Sequence, residues 1–108
     1  MSTLKVYKGL MRDDSRGEKI LHVVEDMWRR VKAHAGAQFQ QIRGGVFTYK
    51  VEDEHVVPDR TNQRIPKSHF ERALGFVPLA DTVSIHDLRG PSYIYAILMD
   101  RRIRQHDY

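Results

Sequence analysis

Cysteine is absent from the 108-residue chain. That removes a disulfide framework, a thiolate nucleophile and any Cys-ligated zinc or iron–sulfur centre. No apolar run approaches the roughly 20 residues needed to span a bilayer. Met1 to Leu10 lacks the charged start and apolar stretch of a signal peptide. The chain therefore reads as soluble and cytoplasmic. It is also short: two cores would each be too small to offset chain entropy, so residues 1–108 are expected to form a single domain. Prolines are few and spread out, at Pro58, Pro66, Pro78 and Pro91, each beside an apparent element boundary. Repeats, low-complexity tracts and Pro/Ser linkers are lacking.

Catalytic and cofactor motifs are scarce as well. The histidines His22, His34, His55, His69, His86 and His106 never fall three or four residues apart, so no helix face offers paired imidazoles to a metal. The adjacent Ser68 and His69 do not face one another on a helix, and there is no nucleophile elbow. Glu52-Asp53-Glu54 with Asp59 could gather a divalent cation. Successive residues on extended backbone point to opposite sides, however, and a solvated turn is the better reading. Neither phosphate-binding glycine fingerprint is present. No cofactor or metal is expected. An enzyme reading would fall on Asp59, His55 and His69 as acid–base groups around the polar loop; it ranks below the two readings that follow.

What is there begins with a weakly alternating segment, Thr3 to Tyr7, that suits a short strand. Ser15 and Glu18 then stand at capping-box spacing. Ile20, Val24, Met27, Trp28 and Val31 recur on one helical face, the last turn is basic, and Gly36 follows as a stop. A long amphipathic helix is expected from about Arg16 to His34. Phe39 to Ile42, Val46 to Val51 and His55 to Val57 are rich in β-branched and aromatic residues. They predict a three-stranded antiparallel meander, with Gly44-Gly45 in a hairpin turn and a loop from Pro58 to Arg64.

Ser68 and Glu71 repeat the capping-box spacing and open a short helix through Phe70, Ala73 and Leu74, stopped by Gly75. Thr82 or Ser84 would cap a further turn. Tyr93 to Met99 balances β-branched content against Pro91 just inside a helix start; a helix to about Arg101 is preferred. The tail from Arg104 to Tyr108 is expected to fray. The fold class is thus α+β: a long N-terminal helix, a small antiparallel sheet and two or three short C-terminal helices. The expected core is Ile20, Val24, Met27, Trp28, Val31, Ile42, Phe47, Tyr49, Val51, Phe70, Leu74, Ile94, Ile97 and Leu98.

Charge placement carries the functional reading. Eighteen Lys and Arg oppose 14 Asp and Glu, a net charge of +4. Residues 1–59 hold ten basic and nine acidic side chains, and residues 60–108 hold eight and five. The excess gathers around Arg60, Arg64, Lys67 and Arg72, with Thr61, Asn62, Gln63, Ser68 and His69 as neutral hydrogen-bonding groups, and again at Arg89-Gly90-Pro91-Ser92-Tyr93. Arg101, Arg102 and Arg104 follow. A cation and a glycine ahead of a helix start suit an anion, because free amides point outward there. The expectation is a small DNA- or RNA-binding domain, a regulator or an accessory of a phage or mobile-element system. Its contacts would come from Arg43, Lys50, Arg60, Asn62, Arg64, Lys67, Ser68, Arg89, Ser92, Tyr93, Arg101 and Arg102. Arg43-Gly44-Gly45 would act as a wing beside two short helices. Tyr49, Tyr93 and Tyr95 could stack on single-stranded bases. The alternative is a protein–protein interaction module, homodimeric through an uncovered stripe around Met27 and Trp28, with no nucleic-acid contact.

Overall fold

The computed structural model describes residues 16–108, with side chains from His22 onward. The expected strand at Thr3–Tyr7, the Ser15–Glu18 capping box and the side chain of Ile20 lie outside the described residues. The class is α+β, with helices and small antiparallel sheets. Helix α1 runs Arg16–Ala33. Strands β1 (Phe39–Gln40) and β2 (Val46–Phe47) form one hairpin. Strands β3 (Tyr49–Glu52), β4 (His55–Pro58) and β5 (Ile65–Pro66) form a second sheet in the order β3-β4-β5. Helix α2 (Lys67–Ala73) follows directly, then 3-10 turns at Leu74–Phe76 and Val83–Ile85. Helices α3 (Pro91–Leu98) and α4 (Arg101–Arg104) close the chain.

The spacing of Val24, Met27, Trp28 and Val31 places all four in the core, as an apolar face at helical period should. Trp28 packs its ring 5.8 Å from that of Phe70 in α2. Tyr49 ends α1 from outside the helix. Its hydroxyl donates to the Val31 carbonyl at 2.6 Å, and its own carbonyl accepts from Gly36 N–H at 2.9 Å. One of the orphan carbonyls of the helix C-terminus is satisfied this way. Burial pushes the Tyr49 phenol well above its ordinary pKa. Phe39, Phe47, Tyr49 and Tyr93 form a run of tilted and edge-on ring contacts that ties both sheets to α3.

Two sheets replace the single meander expected from sequence. The ladder breaks at Thr48, whose N–H donates to Asp59 Oδ1 at 3.0 Å while its carbonyl accepts from Asp59 N–H at 2.9 Å. That exchange turns the chain out of the first hairpin and into the second. The β3–β4 hairpin closes on Asp53 and Glu54, both left-handed, as a two-residue turn between twisted strands demands. Strand β5 follows directly on the expected Pro58–Arg64 loop and was not foreseen. It pairs Ile65 with Val56, and both are fully buried. Ile42 was expected in the core but is 45% exposed, because β1 stops at Gln40 and carries no alternation further. Val51 packs against the core without being enclosed in it.

Local starts and stops differ in the same way. Pro66 in extended conformation, not Ser68, stands at the N-cap of α2, with no side-chain cap. The Lys67 N–H finds its acceptor in the Glu54 carbonyl at 2.9 Å, so the hairpin turn caps the helix. Gly75 does not stop the helix but continues it into a 3-10 turn. At Val83–Ile85 the side chain that accepts the early N–H is Asp81, not Thr82 or Ser84. Pro91 occupies the first turn of α3, as expected, and the helix ends at Leu98, where Asp100 caps α4 by accepting from Arg102 N–H at 2.8 Å. The tail does not fray. Tyr108 donates its hydroxyl to the Leu98 carbonyl at 2.9 Å, and Asp107 pairs with Arg30 at 2.6 Å. Among the described residues no helix is long and apolar enough to cross a membrane.

Candidate nucleic-acid interface

The start of α3 is the point where separate segments meet. Gly90 sits there in left-handed conformation, at φ 57°. A Cβ at Gly90 would lie 2.7 Å from Ile65 Cδ1 and 3.2 Å from Gln63 Oε1, so the polar loop before β5 packs directly on this turn. Ser92 Oγ accepts from Gln41 Nε2 at 2.8 Å, which brings in the β1–β2 hairpin. The hairpin in turn holds Arg60: its Nη1 donates to the Val46 carbonyl at 3.3 Å and lies against Gly45. Arg89 precedes Gly90, and its N–H donates to His69 Nδ1 at 3.0 Å. That bond fixes Nδ1 as the acceptor. Burial first, then the charges of Arg72 and Arg89, hold the imidazole below its ordinary pKa, against an opposing pull from Asp87.

Among the described residues, no carboxylate lies within ion-pair distance of Arg43, Arg60 or Arg89. Arg43 stands exposed at the hairpin turn, where Gly44 takes φ 97°. Arg89 immediately precedes the amide end of α3, with its partial positive charge; Gln63 and Gln41 reach that turn, and the hairpin that Gln41 ties to Ser92 carries Arg43 and holds Arg60. Such a surface can take phosphate oxygens.

The remaining expected contacts divide. Asn62 is exposed in the loop beside Gln63. Lys50 pairs with Glu52 at 3.0 Å, and Arg64 pairs with Glu52 at 3.1 Å. Lys67 is 21% exposed and pairs with Glu25 at 3.0 Å. The acidic turn and the basic loop thus largely neutralise one another, and both cation bonds hold Glu52 below the ordinary carboxylate range. Ser68 is an exposed position inside α2. Tyr49 is enclosed and presents no face for base stacking; Tyr93, in a T-shaped contact with Phe47 at 4.8 Å, and Tyr95 are half-buried against the core.

Arg102 lies over the Phe39 ring at 4.1 Å and bonds Asp100 and the Gln38 carbonyl at 2.8 and 2.7 Å. Arg101 belongs to a different place, an open cleft of about 370 Å³ lined also by Met99, Arg104, Gln105, His106 and Tyr108. Helices α2 and α3 are separated by the segment 74–90 with its two 3-10 turns, so the tight connection of a helix-turn-helix is not present.

The acid–base candidates do not assemble. Asp59 accepts from Thr48 N–H, His55 Nδ1 contacts the Asp53 carbonyl, and His69 accepts from Arg89. Among the described residues no group of three or more His, Asp or Glu could hold a metal ion. Gln41 is the site residue that sequence reasoning missed. Its only signal was its place two residues before the Arg43-Gly44-Gly45 turn. No family model, curated protein or solved structure matches the chain.

Proposed function

We propose that the chain is a small nucleic-acid-binding domain that grips duplex phosphates with the surface around the start of α3. The supporting observation is that Gln41 joins Ser92, Arg60 joins Val46 and Gln63 lies against Gly90, which gathers the segments carrying Arg43, Arg60 and Arg89, three arginines with no ion pair among the described residues. Cations there neutralise phosphates, and the amides and hydroxyl set register. In this reading the long amphipathic N-terminal helix and the short C-terminal helices are scaffold, and the domain is a cytoplasmic regulator or accessory of phage or mobile-element type, acting without a cofactor.

Fluorescence anisotropy against duplex and single-stranded probes, over a series of salt concentrations, tests the reading. Log affinity should fall against log salt with a slope of about −3, as for three neutralised phosphates. Salt-insensitive binding, or none at micromolar protein in low salt, rejects it.

A second reading rests on apolar exposure. The stripe around Met27 and Trp28 is enclosed, but Phe76 and Val83 are 48% and 70% exposed. These could serve a homodimer or another protein partner. Light scattering over a wide concentration range tests self-association: a strict monomer counts against it.

A further inference from the structure

The hairpin turn carries features that phosphate binding alone does not use. Ile42 and Val46, 45% and 47% exposed, stand on either side of Arg43-Gly44-Gly45. The turn is held open to solvent by a closed set of bonds. Gln41 N–H donates to the Gly45 carbonyl at 2.7 Å, and Gly44 N–H donates to the Gln41 carbonyl at 2.8 Å. The Gln41 side chain ties it to Ser92, and Arg60 ties it through Val46. A tied-down turn results, with one cation, two apolar side chains and the exposed Gly44, where a Cβ would meet nothing closer than 4.0 Å, so that the backbone there can approach another surface.

We infer that this tip enters the minor groove of A/T-rich duplex DNA, a step that rests on the nucleic-acid reading above. The charges fit: Arg43 sits at the tip, Arg60 lies at its base against Gly45, and Arg89 precedes the α3 start to which Gln41 ties the hairpin. A narrow A/T-rich minor groove concentrates negative potential and attracts an inserted arginine. Apolar side chains beside such an arginine wedge against base steps and bend the duplex. A groove about 6 Å wide excludes a helix but admits an arginine carried at the centre of a tight turn, with the open Gly44 beside it. Duplex RNA offers a wide, shallow minor groove with no such focusing. Tyr49 is enclosed, and Tyr93 and Tyr95 are half-buried against the core, so a single-stranded probe serves as the control.

The test uses the full chain, Arg43→Ala, the double variant Ile42→Ser/Val46→Ser, and Arg60→Ala. Circular dichroism verifies that each is folded, as substitutions at exposed positions should be. Anisotropy is measured on A/T-rich and G/C-rich duplexes of equal length, with netropsin as minor-groove competitor. Resonance energy transfer between duplex ends reads bending. The wild-type chain should prefer the A/T-rich duplex about tenfold and be displaced from it by netropsin. Arg43→Ala should abolish the preference, Arg60→Ala should weaken both duplexes alike, and the apolar double variant should lose the bend.

Equal weakening of both duplexes by Arg43→Ala, with netropsin inert, overturns the inference while leaving phosphate binding intact. If the apolar double variant instead dissociates an oligomer and binds DNA unchanged, the tip is a protein surface and the inference falls. Absence of duplex binding by the wild-type chain removes the nucleic-acid reading itself.

Discussion

Gln41 and Ser92 are joined by a 2.8 Å hydrogen bond across 51 positions of sequence. One residue sits at the hairpin turn and the other in the first turn of α3. The bond makes these two parts of the proposed surface move as one. In a double-mutant cycle, Gln41→Ala and Ser92→Ala should each destabilise the chain. Their coupling in chemical denaturation should be about 0.5–1 kcal/mol, the net worth of one neutral hydrogen bond. Strictly additive losses would mean that hairpin and helix are held together elsewhere.

Gly90 answers to two constraints at once, and Gly44 to one. Both have positive φ, at 57° and 97°, where a side chain costs about 1–2 kcal/mol. At Gly90 a Cβ would also meet the fully buried Ile65 at 2.7 Å, whereas at Gly44 the nearest atom is Gln40 Nε2 at 4.0 Å. Gly90→Ala should therefore cost about 2–4 kcal/mol and Gly44→Ala about 1–2 kcal/mol in urea unfolding. Equal losses would show that the packing of β5 on the α3 start yields easily.

His69 gives the fold a dependence on pH. Its folded pKa lies below the ordinary value, from burial and then from Arg72 and Arg89. The unfolded chain therefore binds the proton more readily than the folded one. The stabilisation is complete above the ordinary imidazole pKa of about 6.5 and is lost as pH falls through it. The loss levels off below the folded pKa. Protonation at Nδ1 also removes the acceptor for Arg89 N–H, which leads into α3. The wild-type melting temperature should fall between pH 7.5 and 5.5. His69→Gln should fall less, because its amide oxygen can accept at any pH. Glu52 and Asp100, whose pKa values are lowered, destabilise only at more acid pH, and they do so equally in both proteins. Parallel curves would assign the acid loss to groups other than His69.

Elements with a period were legible in the sequence, and pairings between distant segments were not. The Val24–Val31 face and the Pro91 helix start followed from spacing and local chemistry. Strand β5 spans Ile65–Pro66, too short for any alternation to register. Ile42 was misread because β-propensity said nothing of where the ladder would stop. The fate of each cation turned on acids far away: Lys67 meets Glu25 across 42 positions, and Arg30 meets Asp107 across 77. Net charge along the chain therefore did not separate cations without an ion pair from those that hold the fold, and it passed over Arg43, which lies in the balanced part.

That separation can be measured. Arg102 is anchored by Asp100, the Gln38 carbonyl and the Phe39 ring, whereas Arg60 and Arg89 make no ion pair among the described residues. A guanidinium fixed by charge-assisted bonds at a partly exposed position contributes about 1–2 kcal/mol to folding. Arg102→Ala should lose that much in urea unfolding and leave the affinity of the folded chain for duplex DNA within about twofold. Arg60→Ala and Arg89→Ala should change stability by about 0.5 kcal/mol or less, while each lowers the salt slope of binding by about one. A guanidinium already turned inward on Asp100 releases no counterion when DNA arrives. If Arg102→Ala lowered the slope as Arg60→Ala does, the DNA surface would extend to the Phe39 face, and the hairpin turn would lie at its edge rather than its centre.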